Sequence, residues 1–224
     1  MTAGAAASWD AEYAAGRYRD EPPVGFARDI IAAARSRHLR RGLYIGCGNG
    51  RNFVPLSEAG LDLIGLDISA QAIAQLRQRR PAAAGLIVGG LGAVAPSARF
   101  GLVIGIQVFQ HGRRDQAHRH LTAAAARVAP GGLLCVRVNA TETDIRHRHE
   151  RTEAAGDGSF TVRYRSGPKT GLDIHFFTAA ELERLAGDGF TAVLPPRLDS
   201  TPHAPPARGR WSQWEAIWQR RRPA

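Results

Sequence analysis

The chain has 224 residues, 44% of them apolar, and a formal charge of +10 at pH 7. That length suits one well-packed domain and is short for two. No apolar run approaches the roughly 20 residues of a bilayer span. The N-terminus lacks the basic region and continuous apolar stretch of a secretory signal, so a cytoplasmic protein without membrane attachment is expected.

The charge by itself invites a nucleic-acid partner. Its carriers are scattered arginines, however, with Lys169 the only lysine. A generally basic surface, or a basic pocket for an acidic small molecule, is the favoured reading; nucleic acid is not the expected partner.

Trp9 and Tyr13 lie four residues apart on one face of a short helix over 9–16. Pro22-Pro23 breaks the chain. Val24, Ala27, Ile30, Ile31 and Ala34 then recur at helical spacing over 24–38, so residues 1–40 form a helical cover. From residue 42 short apolar runs (42–46, 61–67, 85–89, 101–106 and 133–138) alternate with helical stretches near 51–59, 69–80 and 114–128. Such alternation predicts an α/β fold, a doubly wound parallel sheet with helices on both faces. Pro130-Gly131-Gly132 marks a stop after the helix ending near Val128.

The segment 139–176 is polar, rich in His and Arg, and broken by glycines, which makes it an insertion. Residues 160–165 and 172–177 can pair as a hairpin over the sheet. Thr178 caps a following helix, with Glu181 at the capping-box position. The last stretch, WSQWEAIWQR, reads equally as helix or strand. Cys47 and Cys135 fall in strands separated by a third, at a distance of roughly 10 Å. That is too far for a disulfide, and both are expected as reduced thiols.

The most informative residues are Gly46-Cys47-Gly48-Asn49-Gly50, directly after a strand and before a helix. Glycines there open the backbone to a ligand at a helix N-terminus. Asp67 ends the second strand, where its carboxylate can accept both hydroxyls of a ribose. Together they predict a nucleoside-containing cofactor. The spacing is G-x-G-x-G, with Arg51 where a dinucleotide motif has its third glycine, which favours a cofactor without a pyrophosphate.

GLYIGCGNGRNFVPLSEAGLDLIGLDIS resembles the cofactor half of class I S-adenosylmethionine-dependent methyltransferases, nearest to their small-molecule and tellurite-resistance-like branch. The likeness continues through RFGLVIGIQVFQHG and RVAPGGLLCVRV, and less specifically to about residue 220. It implies one methyltransferase domain over 1–224, with a Rossmann-like seven-stranded sheet whose last strand is antiparallel, tipping the tryptophan-rich end toward strand. It also implies S-adenosylmethionine as cofactor and S-adenosylhomocysteine as product. Gly46, Cys47, Gly48, Gly50 and Asn52 would line the methionine and ribose portions, with Asp67 on the ribose. Ile68, Gly90 and Leu91 would hold adenine, and Gln107 and Val108 would lie near the methionine amino group. Trp9 and Tyr13 would form the N-terminal cover.

Three positions depart from that pattern. Tyr44 and Gly90 replace acidic residues, and Gly101 replaces an aspartate at the start of strand four.

Methyl transfer asks the protein to align an acceptor and, for many acceptors, to take a proton. His111 and His175 are the catalytic candidates, with a solvated loop histidine and a satisfied core histidine as the plainer alternatives. Arg137, Asn139, Tyr164 and Lys169 are candidates for binding a small, anionic acceptor, with Arg163 and Arg165 adding positive charge. The clusters at His118/His120 and His147–Glu150 have no spacing that converges metal ligands, so no metal is expected. A nucleic-acid methyltransferase, a dinucleotide oxidoreductase and a non-catalytic cofactor-binding protein are the competing readings. The first lacks an Asn/Asp-Pro-Pro-aromatic box at Gln107–Gln110.

Overall fold

A computed structural model describes residues 3–223. Two helices, α1 (Ala3–Ala14) and α2 (Phe26–Arg35), lead into an alternating unit. It comprises β1 (Arg41–Ile45), α3 (Phe53–Glu58), β2 (Asp62–Asp67), α4 (Ala70–Arg79), β3 (Leu86–Val88), β4 (Phe100–Ile106), α5 (Arg114–Ala125) and β5 (Val128–Asn139). Three strands follow, β6 (His149–Ala154), β7 (Phe160–Tyr164) and β8 (Asp173–Phe176), then α6 (Ala179–Ala186), β9 (Phe190–Pro202) and β10 (Arg210–Arg220).

The main sheet has the order β3-β2-β1-β4-β5-β10-β9. Pairs among β1 to β5 are parallel, and β10 runs antiparallel to both β5 and β9. Strand alternation explains the helices on both faces. Tyr44, Leu102, Ile104, Leu133 and Cys135 join one core with Phe26 and Ile30 of α2, Leu56 of α3 and Leu76 of α4. Their neighbours Leu43, Ile45, Val103, Leu134 and Val136 join the other, with Leu121 of α5 and Leu182 of α6. Each fully buried aliphatic side chain stabilises the fold by roughly 1.5–3 kcal/mol.

The tryptophan-rich end is a strand: Trp214, Ala216 and Trp218 pack on the second core, and Ile217 on the first. Four expectations need correction. The helix before Pro130 ends at Ala125, and Pro130-Gly131-Gly132 lies within β5. β9 was not foreseen; Pro195 and Pro196 lie in it because it is an edge strand, where a missing N–H is tolerated. The expected hairpin forms, β7 against β8, but β6 adds a third strand that was not foreseen. Finally, Thr178 caps α6 by accepting from Glu181 N, but the Glu181 carboxylate turns inward to His118, His175 and Arg114 instead of completing a capping box.

The insertion is tied to the carboxyl ends of β4 and β5. His111 bridges Ile174 and Ala140 bridges Phe177. His175 N donates to Gln110 O at 2.8 Å, and Phe177 N to Asn139 O at 2.9 Å. Phe160, Val162, Tyr164, Ile174 and Phe176 form a small core of their own. Cys47, in the turn after β1 rather than in a strand, and Cys135, in β5, are free and buried, with β4 between β1 and β5, and burial pushes both thiols up.

Candidate active site

A cleft of about 990 Å³, including its open mouth, crosses the carboxyl edge of the sheet where the strand order reverses beside β1. That is where open α/β sheets bind ligands. Its floor is the turn after β1. Gly46 N and Cys47 N both donate to Leu66 O, holding the turn against β2. Gly48 has φ +57°, and a Cβ there would lie 2.5 Å from the Tyr13 hydroxyl oxygen. The absent side chain therefore admits both the left-handed backbone and the cover.

Asp67 closes this floor. One carboxylate oxygen accepts from Gly48 N at 2.8 Å and the other from Ser69 N at 2.9 Å. Burial pushes its pKa up against these two donors, and the net direction is upward. A carboxylate has about four acceptor positions, so two remain for hydroxyl donors.

The roof is the N-terminal segment, with Trp9, Tyr13 and Tyr18 lining the cleft. α1 is pinned to α4 by Asp10, whose carboxylate accepts from Ser69 Oγ at 2.6 Å and Gln71 N at 3.0 Å. Burial pushes the Tyr13 hydroxyl far up, so it stays a neutral donor. Tyr44 is fully buried with its hydroxyl likewise pushed up, and supplies a neutral group where the resemblance implies an acid. Asn52 also lines the cleft and accepts from Val24 N at 2.9 Å, fixing the approach to α2.

The far wall follows β4. Gln107 has φ +57°, an uncommon conformation for a non-glycine residue and one that concentrates at functional sites. Its N–H donates to Arg137 O at 2.7 Å. Val108, Gln110 and His111 complete this wall, and Lys169 reaches it from the insertion. The His111 ring stands edge-on to Trp9 at 5.2 Å, with Nε2 3.3 Å from Gln107 O. Burial, then the charge of Lys169, pushes the His111 pKa down to about 3.

The cleft thus brings together Trp9, Tyr13, Gly46, Cys47, Gly48, Asn52, Asp67, Ile68, Gly90, Gln107, Val108, His111 and Lys169. Other candidates lie elsewhere. Gly50 faces Leu76 of α4, and Leu91 packs on the second core. Arg137 is buried in an ion-pair network with Glu215 at 2.9 Å and Asp199 at 2.6 Å, beside Gln213. Asn139 and Tyr164 are buried and do not line the cleft. Arg163 pairs with Asp173 and Arg165 with Glu150.

His175 is fully buried away from the cleft, 3.1 Å from Glu181 and 3.0 Å from Thr161 Oγ1. His118, His175 and Glu181 offer three ligand atoms within 4.8 Å of one another. Arg114 Nε and His118 Nε2, at 2.9 and 2.7 Å, already share Glu181 Oε1, so the group is a hydrogen-bonded hub on a carboxylate. Sequence reasoning missed Tyr18, Gln110 and Arg51 as cleft residues. No periodicity marks them; Gln110 carried a signal beside His111 after strand four, and Arg51 one directly after the glycine turn.

The strand order is that of a Rossmann-like doubly wound sheet with its ligand cleft at the switch point. The family model described as a methyltransferase domain matches residues 43–132. Among curated proteins none matches this sequence.

Three solved structures illustrate the fold. The 1,6-didemethyltoxoflavin-N1-methyltransferase of Burkholderia thailandensis, with its substrate and S-adenosylhomocysteine bound, is 19% identical at TM-score 0.64, over 99% of this chain and 92% of that one. CalS10, an amino pentose methyltransferase from Micromonospora echinaspora with S-adenosylmethionine bound, is 19% identical at TM-score 0.58, over 94% and 96%. TehB from Haemophilus influenzae is 15% identical at TM-score 0.64, over 95% and 67%. At these identities the likeness is one of fold.

No helix among the described residues is long and apolar enough to cross a membrane.

Proposed function

We propose that this chain transfers the methyl group of S-adenosylmethionine to an oxygen, nitrogen or carbon atom of a small, anionic metabolite. The observation that carries the proposal is one continuous cleft running from the Gly48–Asp67 floor to the Gln107–Lys169 wall. The residues fit the cofactor. Asp67 keeps free acceptor positions for ribose hydroxyls, and side chains at Gly46 or Gly48 would collide with Val108 or Tyr13. Ile68 and Gly90 would flank adenine, and Gln107 and Val108 the methionine end.

The bound sulfonium supplies an activated methyl group, which leaves the protein to align the acceptor and exclude water. Trp9, Tyr13 and Tyr18 cover the cleft from one side and the insertion from another, which supports reading the cover and insertion as parts of one methyltransferase domain. Lys169 is the acceptor-side cation. His111, neutral across physiological pH, is a hydrogen-bonding positioner better than a proton acceptor. The names of the structural neighbours, on toxoflavin precursors and amino sugars, favour a small-molecule acceptor over nucleic acid.

The test is transfer of labelled methyl from S-adenosylmethionine to a panel of small acidic metabolites and, in parallel, to bulk RNA. Label in a small molecule is expected. Label only in RNA, or binding without any turnover, would overturn the proposal.

A further inference from the structure

We infer that Lys169 holds the anion in an acceptor subsite that Gln110 and His111 also line, and that the acceptor is a planar aromatic acid entering the cleft already ionised. The inference rests on the methyl-transfer reading and names the substrate class of that site.

Lys169 is the chain's only lysine, and it lines both the main cleft and a smaller cavity that shares Trp9 and Tyr18 with it. Its ammonium has no hydrogen bond or ion pair among the described residues. Glu12, which lines the smaller cavity with it, lies 2.8 Å from Arg17. The ammonium lies 5.9 Å from the centre of the Tyr164 ring.

On the lining of the same cleft, Gln110 is 2% exposed and its Oε1 finds no partner among the described residues. The ammonium is complementary to an oxyanion, and the Gln110 amide oxygen, an acceptor, to a donor on a neighbouring edge of the same ligand. Trp9 and Tyr18, which line the main cleft with Lys169, offer aromatic surface for a flat ring.

The chemistry agrees. His111 is a poor proton acceptor near neutrality, because burial pushes its pKa down to about 3. An acceptor that arrives as an anion needs no base. Its electron pair forms the new bond to the methyl carbon, the carbon–sulfur pair returns to sulfur, and the positive charge of the sulfonium disappears with the negative charge of the acceptor. Lys169 holds the anion before transfer and gains no proton. Burial, then Arg17, brings its pKa down to about 8, against the opposing pull of Glu12. The other titratable groups around it are Tyr18, His111, Tyr164 and His147. Anion binding should therefore weaken as pH rises through about 8.

The experiment titrates S-adenosylhomocysteine-loaded protein with 4-nitrophenol and its uncharged methyl ether, 4-nitroanisole. Wild type should bind the phenolate about tenfold more tightly than the ether, and lower the apparent pKa of 4-nitrophenol, read from phenolate absorbance, by about one unit. Lys169→Met should abolish both effects, and Lys169→Arg should restore part of them, while S-adenosylhomocysteine affinity stays within about twofold in both variants. Equal binding of the two probes, no binding of either, or an unchanged preference in Lys169→Met would overturn the subsite. Failure of wild type to bind S-adenosylhomocysteine is read in its own titration, and would overturn the methyl-transfer reading instead.

Discussion

Gly48 carries two constraints at once, a left-handed backbone and contact with the Tyr13 hydroxyl. Gly48→Ala should destabilise the fold by about 1–2 kcal/mol through the backbone alone, and should also push the cover away from the cleft. Tyr13→Phe removes the colliding oxygen, so the double variant should recover more than about 0.5 kcal/mol in denaturant unfolding. Strict additivity would contradict the contact.

His111 makes a second prediction at this scale. Its folded pKa of about 3 lies below its ordinary 6.5, so its contribution to stability is complete above pH 6.5 and is lost as pH falls toward 3. The denaturant midpoint should begin to fall just below pH 6.5, ahead of the carboxylates. His111→Gln should flatten that part of the profile, and an unchanged profile would argue against burial of the ring.

The insertion is held to the rest of the chain by strand bridges to β4 and β5 and by the Glu181 hub, which joins α5, β8 and α6. Burial pushes the Glu181 carboxyl up, but the hydrogen bonds from His118, His175 and Arg114 prevail and hold it well below its ordinary 4.5. A depressed carboxyl stabilises above its ordinary pKa and loses that contribution as pH falls, here below about 4.5. Glu181→Gln should cost about 3 kcal/mol at neutral pH, because it removes the counter-charge of the Arg114 guanidinium and turns one of the two acceptor oxygens into a donor. The variant should also lose less stability than wild type below pH 4.5, as read by chemical denaturation across pH.

The strands of the alternating unit were legible because parallel strands buried on both faces read as continuous apolar runs. β9 was not: it is an edge strand, mostly exposed, with three prolines. β6 was hidden for the same reason, since HERTEA is polar and exposed. Arg137 could not be assigned from sequence because its partners, Asp199, Gln213 and Glu215, come from strands more than 60 residues away. His175 in an apolar strand was a fair signal of a special site, but its acceptor on α6 makes it part of the hub rather than of the cleft.

Across the whole molecule, the Gly48–Asp67 floor of the cleft was the most legible part, since a turn and an acid at the ends of two adjacent strands converge in any sheet of this order. The Gln107–Lys169 wall was less so. It is assembled from the N-terminal segment, the loop after β4 and the insertion, which meet only in three dimensions. That division also separates what must be measured first. Calorimetric titration with S-adenosylhomocysteine, of wild type and Asp67→Ala side by side, addresses the floor on which every other reading stands. Losing a hydrogen-bonded carboxylate costs about 1.5–3 kcal/mol, so micromolar binding by wild type that weakens at least tenfold in the variant is the expected result. No binding to wild type, or equal affinity in both, would contradict the assignment of this cleft to S-adenosylmethionine.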